Sequence, residues 1–277
     1  QSSRPHFKTQ LIAANLAISL CVIFALPEPE IRELNSGLWY KMSSKKRAEY
    51  ILHGRNKEEE EELQPIYYKD GINTTVSVLP DISGSVALMV SNKPVASSGL
   101  QDQIHLYLIG HLPALFTKNL KEVAIIGLGG GVSAGAILKH PSVEAVDIIE
   151  IEKGVVEASE YFSNINNNPL KDPRTNLIIE DGRIHLTYSK KKYDLISTDP
   201  ISPISAGAAN LYTADYFALV SQRLKPWGTF SQWIPMADMS EKSFKSILAA
   251  ISKSFAHTLV FLDEFDAIII SSPQPFD

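Results

Sequence analysis

Two hydrophobic periods divide the chain. Between residues 65 and 98 short β-rich runs alternate with turn residues: Ile66-Tyr67-Tyr68, Thr74-Thr75-Val76-Ser77-Val78 and Val86-Ala87-Leu88-Met89-Val90. Asp70-Gly71 and Ser83-Gly84 separate them, and the pattern predicts a small antiparallel sheet. Residues 101–116 then read as mainly helix. Ile104, Leu108, Leu112 and Leu115 fall on one face, the side such a stripe normally turns to a core.

From residue 122 the pattern changes to continuous apolar runs, as expected for strands covered on both faces of a parallel sheet. Val123-Ala124-Ile125-Ile126 runs into Gly127-Leu128-Gly129-Gly130-Gly131, then into a short helix over 133–138. Ala145-Val146-Asp147-Ile148-Ile149 is a second strand, ending at Glu150-Ile151-Glu152. Helix over 155–162, strand over 176–179 before Glu180-Asp181-Gly182, and strand over 193–198 before Asp199-Pro200 follow. Thr213 predicts an N-cap for a helix carrying Tyr216, Phe217 and Val220. Residues 228–234, a helix face of Phe244, Ile247, Leu248 and Ile251, and strands over 257–262 and 267–270 complete the series. Repeated βα units predict a doubly wound α/β sheet with ligands at the strand C-termini. The division read from this is 1–30, 31–63 as a charged connector, 64–100 as the small β domain, and 101–277 as a Rossmann-like domain.

Residues 11–26 are almost wholly apolar, broken by Asn15 and Ser19. At about 1.5 Å per residue the run falls short of a ~30 Å hydrocarbon core. A membrane-helix remnant, a signal-peptide core and a buried helix all stand as readings. If it is an anchor, Arg4, His6 and Lys8 favour the cytoplasm for its N-terminal side. The chain of 277 residues is long enough for a full α/β core. Its net charge of −5 argues against nucleic acid as the main partner. The single cysteine, Cys21, excludes an intramolecular disulfide framework and a cysteine-rich zinc site, and no metal is expected.

The candidate chemistry lies where the strands end. Gly127, Gly129 and Gly131 allow a ligand close to the backbone, and Glu150 stands about 20 residues on, where an acid can hold ribose hydroxyls. The dinucleotide fingerprint would place its third glycine or alanine at Val132; a slipped register of Gly129, Gly131 and Ala134 moves the turn off the strand end. An adenosyl ligand without a pyrophosphate fits as well as NAD. Asp181 before Gly182 reads equally as ligand contact or helix cap. Asp199 is the sharpest candidate, because Pro200 cannot continue the ladder and releases the strand there. Glu152 reads as structural or exposed. His105 and His111 read first as polar or packing residues.

With those acids laid out, the stretch from Tyr67 to Ser271 resembles the spermidine synthase (polyamine aminopropyltransferase) family, and most of all its bacterial branch in which the domain follows membrane-spanning segments. The matching residues are Leu138-Lys139-His140-Pro141-Ser142-Val143-Glu144, Ile149-Glu150-Ile151-Glu152, Asp172-Pro173-Arg174, Asp181-Gly182 and Tyr193-Asp194-Leu195-Ile196. His111-Leu112-Pro113 and the run from Ala206 to Thr213 add to them. The resemblance implies a seven-stranded methyltransferase-like sheet behind a small β domain. It also implies aminopropyl transfer from decarboxylated S-adenosylmethionine to an amine. By position Glu150 resembles the ribose-binding acid, Asp181 the adenine-binding acid, and Asp199 the acid that assists amine deprotonation. Asp102, His105, Ser202 and Tyr212 fall on the substrate side.

Three departures are visible. Gly130 stands where the family carries an Asp facing the aminopropyl end, Ser202 where it carries the acid that holds the acceptor amine, and His105 where it carries a tyrosine. The adenosyl half is therefore expected to be retained and the diamine half altered. Two rivals remain open: a methyltransferase using intact S-adenosylmethionine, and a non-catalytic nucleoside or polyamine sensor; NAD chemistry is a distant fourth. The partners expected are a small-molecule amine, a second copy in a homodimer, and the inner membrane, with the catalytic domain cytoplasmic.

Overall fold

The computed structural model describes residues 65–81, 83–203, 205, 207–236, 239–262 and 266–276. The apolar run 11–26, Cys21 and the charged connector lie outside the described residues. Among the described residues no helix is long and apolar enough to cross a membrane.

Four antiparallel strands form the first sheet in simple order: β1 (Tyr67–Asp70), β2 (Thr75–Pro80), β3 (Val86–Val90) and β4 (Lys93–Ser97). The fourth strand was not expected. It carries Pro94, which argues against a strand in sequence but is tolerated at a sheet edge. Ser91 and Asn92, both at positive φ, turn the chain tightly into it.

The second sheet has seven strands in the order β10-β11-β9-β8-β5-β6-β7. They are β5 (Glu122–Ile126), β6 (Ala145–Glu150), β7 (Thr175–Ile179), β8 (Tyr193–Thr198), β9 (Leu224–Pro235), β10 (His257–Leu262) and β11 (Asp266–Ser272). Strands β7, β6, β5, β8 and β9 run parallel; β11 is antiparallel to β9, and β10 to β11. Side-chain alternation feeds two cores. On β5, Val123 and Ile125 enter one core and Ala124 and Ile126 the other. The first core also holds Val76, Val78, Leu88 and Val90, so the small sheet shares its apolar interior with the large one. Strand β7 is an edge, with Leu177 and Ile179 partly in solvent.

Helices α1 (Leu100–Phe116), α2 (Val132–Leu138), α3 (Lys153–Ala158), α4 (Gly182–Tyr188), α5 (Ala214–Arg223) and α6 (Glu241–Ile251) cover the sheet. Thr213 caps α5 by accepting a bond from the Tyr216 amide at 3.2 Å. Helix α1 corrects the periodicity argument. Ile104, Leu108 and Leu115 are 56%, 41% and 71% exposed, while Leu106, Ile109, Gly110, Pro113 and Ala114 are buried. The cause is close approach to α2. A Cβ on Gly110 would meet Ser133 O at 2.5 Å and the Ala136 Cβ at 2.6 Å, so small residues rather than large apolar ones choose the contact face.

Much of the motif Leu138–Glu144 and Asp172–Arg174 is scaffold. Arg174 donates to Leu138 O at 2.7 Å and to Val143 O at 3.1 Å while paired with Asp172 at 2.7 Å. That fork ties the loop before β6 to the loop before β7.

Candidate functional site

The C-terminal ends of β8, β5, β6 and β7 lie side by side, and hydrogen bonds continue the ladder just past them. The Gly127 amide donates to Ile149 O at 2.9 Å, the Asp199 amide to Ile126 O at 3.0 Å, and the Glu180 amide to Glu150 O at 3.1 Å. Gly127 has φ 92°, and a Cβ there would meet Asp199 O at 2.8 Å; only glycine satisfies both demands. Gly129 and Gly131 also have positive φ, and Gly131 leads directly into α2. The strand ends thus bring Gly127, Glu150, Asp181 and Asp199 to one edge.

Glu150 is buried, and its carboxylate is fixed by backbone donors: the Leu128 amide to Oε2 and the Glu152 amide to Oε1, each at 2.9 Å. Burial pushes its pKa up, against the pull of the Leu128, Glu152 and Ile151 amides. A carboxylate offers about four acceptor sites, so two such bonds orient it without using it up. Glu152 is a structural cap: it accepts from the Gly154 amide of α3 at 3.4 Å and from the Asn73 amide of the small sheet at 3.3 Å. Asp181 caps α4, with Oδ1 accepting from the Arg183 and Ile184 amides at 2.8 and 3.1 Å. Gly182 is required by its neighbour, since a Cβ there would collide with the Ile126 side chain.

Asp199 is half-buried and sits among other acids. Its pKa is raised to about 7, first by burial and then by the charges of Asp102 and Asp266; a Ser133 hydrogen bond opposes this. Asp102, in the first turn of α1, accepts a bond from the Ser97 amide of β4, and burial raises its pKa too. His105, one turn on, is 9% exposed; its Nε2 lies 3.8 Å from Asp266 Oδ2, and its ring meets Trp233 edge-on at 6.2 Å. Tyr212 is buried near Asp199, whose charge adds to burial in raising its pKa, and its hydroxyl donates to Ile201 O at 3.3 Å. Ser202 sits in a turn closed by the Ser205 amide on its carbonyl at 2.9 Å. His111 is drawn to His140 instead, with Nδ1 and Nε2 3.0 Å apart.

A Cβ on Gly130 would meet the buried Phe162 ring at 3.0 Å. Three residues escaped the reading of strand ends: Asp266, Trp233 and Ser133. Asp266 begins β11 rather than ending it. Because β11 runs antiparallel to β9, its first residue pairs with Pro235 at the end of β9 and reaches the same edge. The signal available was an acid at the start of the one apolar run that reverses direction.

Known proteins bear on this arrangement. The family model described as "Spermine/spermidine synthase domain" matches residues 103–275, more than half of the chain. The chain is 36% identical over 162 residues to a polyamine aminopropyltransferase of Thermoanaerobacter sp. (strain X514), covering 55% of this chain and 57% of that protein. It is 32% identical over 136 residues to the polyamine aminopropyltransferase of Bacillus subtilis (strain 168), covering 49% of each. The chain spans about half the length of the curated relatives it matches. A crystal structure of a spermidine synthase with the transition-state analogue AdoDATO superposes with a TM-score of 0.70 at 23% identity, covering 76% of this chain and 74% of that one. The spermidine synthase of Thermotoga maritima gives 0.68 at 23%, covering 76% and 73%. These two likenesses speak for the fold.

Proposed function

Because the chain belongs to the spermine/spermidine synthase family, we propose that it transfers an aminopropyl group from decarboxylated S-adenosylmethionine to a small amine. The observation that carries the reading is the edge itself: a glycine turn flanked by Glu150, Asp181 and Asp199 on adjacent strand ends. Glu150, held by two amides beside Gly127, is placed to accept bonds from ribose hydroxyls. Asp181 at the head of α4 would serve the adenine side, and Gly129 and Gly131, at positive φ, let the backbone come close to the ligand.

The reaction balances without a metal or redox partner. The amine nitrogen lone pair attacks the aminopropyl carbon next to the sulfonium. A C–N bond forms, the C–S bond breaks, and its electron pair returns to sulfur, leaving neutral methylthioadenosine. An alkylamine has a pKa of about 10, so it must shed a proton to attack. Asp199, with a pKa brought to about 7, is matched to accept that proton. Catalysis is otherwise alignment, since the sulfonium is already an activated leaving group.

Methyl transfer from intact S-adenosylmethionine is the rival reading, since Gly130 brings no acid to repel the extra carboxylate. Calorimetric titration with intact and decarboxylated S-adenosylmethionine, methylthioadenosine and NAD separates the readings. Tightest binding of the decarboxylated donor is expected; preference for NAD or for the intact donor would overturn the assignment. The finer parts of the reading concern location and assembly. The apolar run 11–26 would attach the domain to the cytoplasmic face of the inner membrane, which fractionation of the full chain checks. The exposed stripe Ile104, Leu108 and Leu115 on α1 supports pairing with a second copy, which sedimentation checks.

A further inference from the structure

The glycine turn at the end of β5 is held from behind. Four of the five residues from Gly127 to Gly131 are glycine. Such a segment loses more freedom on ordering than any other. Its first half is fixed by the bonds at Gly127 and Leu128, and its second half by the loop that follows α3. There Asn166 is 2% exposed, and its Nδ2 donates to Gly130 O and to Ser159 O, each at 2.9 Å. Its Oδ1 accepts from the Asn168 amide at 2.8 Å. Both side-chain N–H groups and the carbonyl are engaged, and only one orientation of the carboxamide makes all three bonds. The Gly131 amide donates to Leu128 O at 2.9 Å, so the peptide joining Gly130 to Gly131 is held at its oxygen and at its nitrogen.

The loop reaches the turn because residues without side chains admit it. A Cβ on Gly135 would meet Asn166 O at 1.9 Å, and one on Gly131 would meet Pro169 Cγ at 3.2 Å and Asn166 Nδ2 at 3.3 Å. The loop is also tied to α1, where the Tyr107 hydroxyl donates to Ile165 O at 2.6 Å. Asn167 and Asn168, at φ 56° and 50°, turn the chain sharply just past Asn166, in a backbone conformation that asparagine tolerates.

We propose that Asn166 is a positioning residue for the nucleoside: its carboxamide clamps the Gly130–Gly131 peptide, so that the turn meets the ligand already shaped. A preshaped turn loses less freedom when a ligand docks against it, and the difference appears as affinity. Asn166 acts through Gly130 rather than on the reacting atoms. The identity of the ligand rests on the transferase reading, but nucleoside binding can be measured without turnover.

The test is calorimetric titration of the full chain with methylthioadenosine, beside turnover of decarboxylated S-adenosylmethionine with 1,4-diaminobutane. Asn166→Ala should weaken methylthioadenosine binding and raise the donor KM tenfold or more, while the KM for diaminobutane stays within about threefold. Asn166→Asp keeps the size of the side chain but turns an acceptor toward two carbonyl oxygens, so it should bind the nucleoside no better than Asn166→Ala. Tyr107→Phe loosens the same loop at Ile165 without touching the turn. It should lower the melting temperature and leave the nucleoside affinity within about twofold. Hydrogen exchange on the unaltered protein needs no substitution: methylthioadenosine should slow exchange of the amides over 159–169 fivefold or more, because coupling between loop and site is reciprocal. Unchanged affinity in Asn166→Ala would overturn the clamp, as would an equal loss in Tyr107→Phe, recovery by Asn166→Asp, or exchange over 159–169 indifferent to the nucleoside. If nucleoside binding depends on Asn166 yet no group is transferred, the transferase reading falls and the clamp stands. If the group is transferred with no dependence on Asn166, the clamp falls and the transferase reading stands. A chain that binds no methylthioadenosine would overturn both.

Discussion

Two acids on strands β6 and β8 of the same sheet, one on either side of β5, live in opposite surroundings. Asp147, in the middle of β6, is 5% exposed and takes bonds from Lys191 at 2.8 Å, Asn176 at 3.0 Å and the Tyr193 hydroxyl at 2.8 Å. Burial alone would raise its pKa, but the three donors outweigh it and hold the carboxyl below the usual range. Asp199, one residue past β8, has Ser133 as a donor and two carboxylates as electrostatic neighbours, and its pKa climbs to about 7. The same chemical group is a finished structural contact in one place and, in the other, an acid among acids with its pKa pushed up to about 7. Position along the strand separates them: Asp147 lies mid-strand among fixed donors, whereas Asp199 lies just past a strand end beside two other acids.

The largest effect expected from breaking this contrast is at Asp199. Asp199→Asn keeps the shape and removes the proton acceptor, so turnover should fall on the order of 100-fold or more. Methylthioadenosine binding by calorimetry should stay nearly unchanged. Asp147→Ala should do the reverse. It strips partners from a buried hydroxyl and an ammonium, so denaturant unfolding should show a loss of roughly 2–3 kcal/mol. Activity per folded molecule should hold. Asp181→Ala falls between, losing a helix cap worth about 1 kcal/mol together with part of the nucleoside affinity.

The smallest effect sharpens the contrast through pH. A free aspartate ionises near about pH 4, whereas Asp199 in the folded chain holds its proton to about 7. Between those values the folded state binds more protons than the unfolded one, so Asp199 makes stability fall as pH rises across the window. Asp147 has the opposite sign. Its depressed pKa contributes stability that is present above about pH 4 and lost as pH falls through its folded value. Asp199→Asn should therefore gain on the unaltered chain in melts moved from pH 4.5 to about 7.5, a shift that Asp147→Asn should not reproduce.

The parallel half of the sheet was legible because its buried strands are written as unbroken apolar runs with an acid just past each end. Glu150, Asp181 and Asp199 are legible that way as strand-end acids. What escaped follows from direction and size. Asp266 opens an antiparallel strand, so the rule that looks past strand C-termini skips it. Strand β4 hides behind Pro94. The buried side of α1 differs from the periodic stripe because Gly110, not the larger Ile104 and Leu108, is the residue pressed against α2. Hydrophobic periodicity reports which residues could be buried, and close helix contact can choose the small ones instead.

The most direct test of the account is product analysis after incubation with decarboxylated S-adenosylmethionine and 1,4-diaminobutane. Equal amounts of methylthioadenosine and an aminopropylated amine are predicted, both abolished by Asp199→Asn. A donor recovered intact under conditions where it binds, or S-adenosylhomocysteine formed from the intact donor, would contradict it.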